Sequence, residues 1–206
     1  MKRTVIVGMA VALILSAGVG FAEAPHGVGG FVLNKNIKDF ADQVILETAL
    51  PIRYLESVEE VEIKPLEGIK SGLIAYGTCA APGKIVRIKL KYDDASKRFF
   101  EKLLKLTKER FGEPDEYRGD PFHILIAWKW SFTDEDNNRI SLILQHNAMD
   151  EEEKLGNAIK LTMTNLVEDD QRCYKEKQLD PREGLRGQKW EPKNQELSGW
   201  DLFIPR

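Results

Sequence analysis

Histidines, cysteines and acidic clusters are the residues of this chain with the most chemical reach. His26, His123 and His146 are the candidate bases and metal ligands, because imidazole titrates near neutrality. Pairing Phe132 with Ile140 across the Asp134–Asn138 turn keeps the apolar faces of two strands together. Side chains alternate along a strand, so this register turns His146 inward and His123 outward. The two do not converge, and no further ligands stand at zinc spacing. Asp134, Asp136 and Asn138 copy the first three ligand positions of a calcium loop. Arg139 stands where that loop needs Gly, and Gln145 where it needs its distal Glu, so the segment reads as a polar hairpin turn.

Cys79 and Cys173 admit two readings. In an oxidising compartment they pair and close a long loop; otherwise they are two separate buried thiols. No CxxC is present, which argues against a thioredoxin-type role. Glu59, Glu60, Glu62 and Asp150–Glu153 supply many carboxylates, but charge runs of this kind are usually solvated faces rather than a glycosidase pair. No G-x-S-x-G, P-loop or G-x-G-x-x-G occurs; Gly27-Val28-Gly29-Gly30 lacks the preceding strand that a dinucleotide site requires. The chain therefore reads as non-enzymatic, with no catalytic residue, metal ligand or cofactor assigned.

Composition sets the frame for these residues. With 206 residues, 42% hydrophobic and 31% charged, the chain fits one folded domain. A net charge of −3 argues against a general nucleic-acid binder. Lys2 and Arg3, an uncharged run from Thr4 to Ala22, and Ala22-Glu23-Ala24 have the layout of a secretory signal. Residues 1–24 are read as that signal, cut after Ala22 or Ala24 unless it is retained as an anchor. The chain is expected in the periplasm or outside the cell. Residues 25–175 form the domain and 176–206 an irregular tail.

Within the domain, Pro25–Gly30 reads as a flexible lead-in. Ile37, Phe40, Ala41, Val44 and Ile45 predict a helix over 37–50, capped by Asn34 or Asn36 and ended by Pro51. Strands are predicted over Ile69–Cys79, Lys84–Tyr92, His123–Thr133, Ile140–Asn147 and Ala158–Thr164. A second helix covers Ala95–Phe111 and stops at Gly112; a short one covers Val167–Lys177. The expected fold class is α+β: a two-layer sandwich in which an antiparallel sheet of about five strands is covered on one face by two helices.

Several stretches carry a family likeness. Gly30-Phe31-Val32-Leu33 precedes the first predicted helix. Lys84–Tyr92 leads to a helix ending in Arg110-Phe111-Gly112-Glu113-Pro114, and a Trp-bearing strand and meander follow. Together these resemble small exported bacterial two-layer α/β domains of the BamE (SmpA)-like sort. The resemblance spans about residues 30–165 and implies an accessory or binding module of the cell envelope. The chain departs from that family in lacking a lipid-attachment Cys and in carrying the long tail, and no functional residue is carried over.

Two features suggest contact surfaces. Residues 84–110 carry a net +6, against −5 for residues 38–67 and −6 for 134–153. Lys84, Arg87, Lys89 and Lys91 form a candidate basic surface for anionic lipid headgroups, lipopolysaccharide or an acidic partner, unless the charged blocks pair with one another. The tail carries Trp190, Trp200 and Phe203, which a purely solvating segment seldom needs. A ligand pocket lined by Trp128, Trp130 and Phe132 is the alternative, if these rings do more than fill the core. The expected function is binding of a protein partner in the envelope, with membrane-surface contact as an accompaniment and no nucleic acid. Binding of a small or amphiphilic ligand, or an unrecognised hydrolase, are the other readings.

Overall fold

The structure is a computed structural model that describes residues 23–148 and 156–179. Its first element is a small hairpin, β1 (Gly27–Val28) and β2 (Phe31–Val32). The turn between them is Gly29-Gly30, with φ of 62° and 86°, the mirror-image geometry that two-residue hairpins favour and that glycine supplies without strain. The expected flexible lead-in is thus a tight turn, and it delivers Phe31 and Leu33 into the core.

The rest is mostly β. Among the described residues, eight antiparallel strands make one sheet: β3 (Val44–Ile52), β4 (Leu55–Ile63), β5 (Ile69–Gly77), β6 (Ile85–Tyr92), β7 (Glu116–Tyr117), β8 (Leu125–Thr133), β9 (Arg139–Asn147) and β10 (Gly156–Met163). Their spatial order is β3-β4-β5-β6-β10-β9-β8-β7. The five strands predicted from sequence lie side by side in the middle. The expectation of a five-stranded sheet with two helices on one face is corrected on both counts.

The helix expected over residues 37–50 does not form. Asn36 does cap a helical turn, its Oδ1 accepting the Lys38 N–H, but that turn is a single 3₁₀ segment, Ile37–Phe40. The spacing of Ile37, Phe40 and Val44 buries all three residues without a long helix. From Val44 the chain is rich in β-branched residues and finds a partner in β4, so pairing overrides the helical pattern. Pro51 lies inside this edge strand, where a missing N–H is tolerated. A register shift between Ile45 and Leu50 further interrupts the edge; there Thr48 Oγ1 donates to the Ile45 carbonyl and accepts the Glu62 N–H.

The two helices do not share a face of the sheet. α1 (Lys97–Phe111) begins at Ser96, whose Oγ accepts the Phe99 N–H, and it packs on β9 and β10 through Phe100, Leu103 and Leu104. Beneath it runs an apolar row across six strands: Val61, Ile74, Ile88, Leu161, Leu142 and Trp130 are successive cross-strand partners. α2 (Thr164–Leu179) follows β10 directly and serves the other face. Its Leu166 and Val167 pack on Val58, Ala75 and Val86. Val86 reaches that face because it is the extra residue of a bulge: Ala75 pairs with Arg87, but Tyr76 pairs with Ile85. The helices therefore lie on opposite faces, and α2 covers one end of its face only. Among the described residues no helix is long and apolar enough to cross a membrane.

Candidate anion-binding face

The face opposite α1 is built by alternation. On β6, Ile88 and Leu90 point to the core, so Arg87, Lys89 and Lys91 point away from it. Direct cross-strand partners share a face, which brings Lys160 of β10 opposite Lys89 and Thr162 opposite Arg87. The Lys89 row runs from Glu62 through Leu73, Lys89, Lys160 and Ile143 to Lys129 and Glu116. Two adjoining hollows of about 330 and 290 Å³ lie along this face and share Leu73, Lys89, Gln145 and Ala158.

The cations on this face are poorly compensated. Lys129 and Arg118 both reach Glu116, at 3.5 and 2.8 Å. Among the described residues, Arg87, Lys89, Lys91 and Lys160 have no carboxylate within 4 Å, and Arg87 Nε is buried without a hydrogen-bond partner. Burial holds the Lys160 ammonium below its ordinary pKa, with Arg87, Lys89 and Arg118 adding repulsion. Burial also lowers Arg87, which Glu60 partly offsets, and lowers Lys91, where Lys70 and Lys89 push the same way. Glu60 and Glu62 share this face through the Ala75–Arg87 and Leu73–Lys89 rows, so the four cations outnumber the nearby anions and make no ion pair with them. The arrangement offers charge and N–H donors to an anion, above a partly apolar floor.

Of the sequence-predicted basic residues, Arg87, Lys89 and Lys91 are brought together. Lys84 is set apart: it precedes β6, donates its N–H to the Ala81 carbonyl and bridges to Asn36. Lys160 and Arg118 were missed. The outward position of Lys160 was readable from Ile159, Leu161 and Met163 facing inward, but the adjacency of β10 to β6 was not. The acidic block 38–67 reaches this cluster through Glu60, which lines the hollow beside Arg87 and favours its charged form without an ion pair within 4 Å; Asp150–Glu153 lie outside the described residues.

The remaining candidates have other occupations. Cys79 and Cys173 are joined in a disulfide, with Cα atoms 5.8 Å apart, so neither offers a free thiol. His146 is buried, its Nδ1 2.8 Å from Asn157 Oδ1 and its ring stacked on Phe100. Asn157 Nδ2 donates to the carbonyls of Asp94 and Ser96, which leaves its oxygen for the histidine and puts the proton on His146 Nδ1. His123 sits in the turn before β8 with φ of 57°, its Nδ1 3.1 Å from the Tyr117 hydroxyl. Asp134 closes the β8–β9 hairpin, accepting N–H groups from Asp136 and Asn138, and His26 Nε2 lies 3.6 Å from its Oδ2. Its carboxyl is pulled below the usual range: burial pushes up, and the Asn138 and Asp136 hydrogen bonds and His26 outweigh it. Among the described residues no three His, Cys, Asp or Glu side chains stand as a metal site.

The aromatic strand fills space. Trp130 is buried and donates from Nε1 to the Gly112 carbonyl at 2.9 Å, tying α1's end to the sheet. Trp128 packs edge-on against Tyr117, and Phe132 against Phe111. Residues 1–22, which hold most of the expected signal, and Trp190, Trp200 and Phe203 lie outside the described residues. No family model, curated protein or solved structure matches the chain, so the functional reading rests on its own residues.

Proposed function

We propose that this chain is an exported, non-enzymatic binding module that takes an acidic segment of a partner protein across the open sheet face. The carrying observation is the under-compensated group Arg87, Lys89, Lys91 and Lys160: Glu60 is close enough to favour the Arg87 charge, but none of the four makes an ion pair among the described residues, and Arg87 Nε is buried and unpaired. Such a group stores an electrostatic cost that an incoming carboxylate relieves. The hydrogen bonds that occupy His146, His123 and Asp134, and the Cys79–Cys173 bond, support binding over catalysis. Export rests on the leading segment, and the oxidised cysteine pair is consistent with that compartment. A second contact through Trp190, Trp200 and Phe203 belongs to the same proposal.

The test is titration of isotope-labelled protein with a glutamate-rich peptide, read by amide shifts. Shifts should map to β5, β6, β9 and β10 and weaken steeply with salt. The paired change Lys89→Glu and Lys160→Glu should reduce affinity at least about tenfold. Absence of binding at low salt, or identical binding by the paired variant, would overturn the proposal. Preference for anionic vesicles over the peptide would reassign the face to lipid headgroups. A tail deletion belongs after Leu179, because α2 runs to that residue.

A further inference from the structure

A second site lies on the other side of the sheet, independent of the basic face. A cleft of about 490 Å³ opens between α1 and the N-terminal hairpin, a size typical of small-molecule sites. Its floor is Leu142 and Leu161, both part of the buried core, and Leu106, Phe111 and Val28 stand along its walls. Leu106 is 50% exposed, a large apolar side chain left facing solvent at the rim. Arg110 lines the same cleft, its guanidinium 5.3 Å from the centre of the Phe111 ring.

The charge at this mouth is selective. On the last turns of α1 and just beyond, Lys105 pairs with Glu109 and Lys108 with Glu113, whereas Arg110 has no carboxylate within 4 Å among the described residues. An apolar floor with one unspent guanidinium at its edge is complementary to a molecule with one apolar tail and one anionic head. Burying the tail supplies affinity in proportion to its length, and the guanidinium fixes the head by a bidentate, charge-assisted contact. Where the leader is cut after Ala22, Glu23 on the opposite wall is the competing charge and the group a cationic head would choose; a cut after Ala24 removes it and leaves Arg110.

We infer that this cleft binds a single-chain amphiphile with a carboxylate head, the tail lying over Leu142 and Leu161 and the head at Arg110. The probes are tetradecanoate, butyrate and tetradecyltrimethylammonium, titrated below their micellar concentrations into the purified protein by calorimetry. Tetradecanoate should bind one to one, butyrate should not register, and the cationic amphiphile should bind at least about tenfold more weakly. Arg110→Glu should reverse the preference between the two long-chain heads. Leu106→Glu, also on the surface, should weaken tetradecanoate at least about tenfold with the thermal midpoint unchanged. No saturable binding of tetradecanoate, equal binding of the two heads, or binding untouched by both substitutions would each overturn the inference. Because neither variant touches the basic face, peptide binding there should persist in both.

Discussion

The carboxylate of Asp170 accepts the backbone N–H of Cys79, whose sulfur is bonded to Cys173 three residues further along α2. Asp170 also accepts the N–H groups of Thr78 and Ala81, at 2.8 and 2.9 Å. One buried anion thus organises the turn after β5 while a covalent bond pins the same turn to the same helix. Gly77 makes this approach feasible: a Cβ there would fall 2.8 Å from Asp170 Oδ1 and 2.8 Å from the Ala81 carbonyl oxygen. Asp170→Asn keeps the shape, removes the charge and turns an N–H₂ toward N–H donors. It should cost about 2–4 kcal/mol in urea unfolding. Gly77→Ala should cost more than about 1 kcal/mol with the disulfide intact.

The disulfide spans 94 positions. Closing a loop of that length lowers the entropy of the unfolded chain, by the chain-entropy account, by about 4–5 kcal/mol. Cys79→Ser with Cys173→Ser should therefore drop the thermal midpoint sharply, and reductant should do the same to the native protein. The paired variant should be insensitive to reductant.

Asn157 is fully buried and joins three elements, since it contacts His146 of β9 and the carbonyls ahead of α1. Asn157→Ala leaves those partners unpaired in the interior and should cost about 2–3 kcal/mol. Amide exchange in the first turn of α1 should quicken more than in α2.

Lys160 provides a pH test. Its folded pKa lies below its ordinary 10.5, chiefly through burial, so the folded state resists the proton that the unfolded state keeps. Stability from this group is therefore present above 10.5 and is lost as pH falls through the depressed folded value. At pH 7 Lys160→Met should be more stable than the native protein, by about 0.5–1 kcal/mol from the opposed Lys89 charge alone. That advantage should shrink as pH approaches 10.5. A variant more stable at pH 7 yet weaker for the glutamate peptide would show that the native chain gives up stability to keep this charge.

How much of this was legible in the sequence follows from where the information lies. Alternation from Arg87 to Tyr92 announces the strand and its two faces, but Val86, expected beside Ile88 and Leu90, is turned to the other face by a bulge that the pattern does not show; Phe132 pairs with Ile140 as the apolar register predicts. Gly112 marks the end of α1 because caps are local, whereas Asp93, Asp94 and Ser96 all fit its start and the structure uses Ser96. Val44–Ile52 was lost to the helical reading because its β identity depends on β4, whose glutamates blur the alternation of Val61 and Ile63. Lys160 could be placed on an outward face, but its neighbour Lys89 is supplied by topology. Asp170 gave no signal beyond its type, since its partners are backbone groups some 90 positions away.

The order of the sheet has a consequence for how the chain folds. β3 to β6 form one run of neighbouring hairpins and β8 to β10 another, and the β6–β10 seam joins them with about 70 residues between partners such as Ile88 and Leu161. Nearby pairings close first because their loops are short. The seam should then be the late event, leaving the flank of β6 bare until β10 arrives. A bare strand flank is a template for self-association, and lysines are a common defence. Lys89 and Lys91, on that flank, would keep the half-formed sheet from pairing with its own copies, so the charges proposed to receive a partner in the finished protein would first act as guards during assembly.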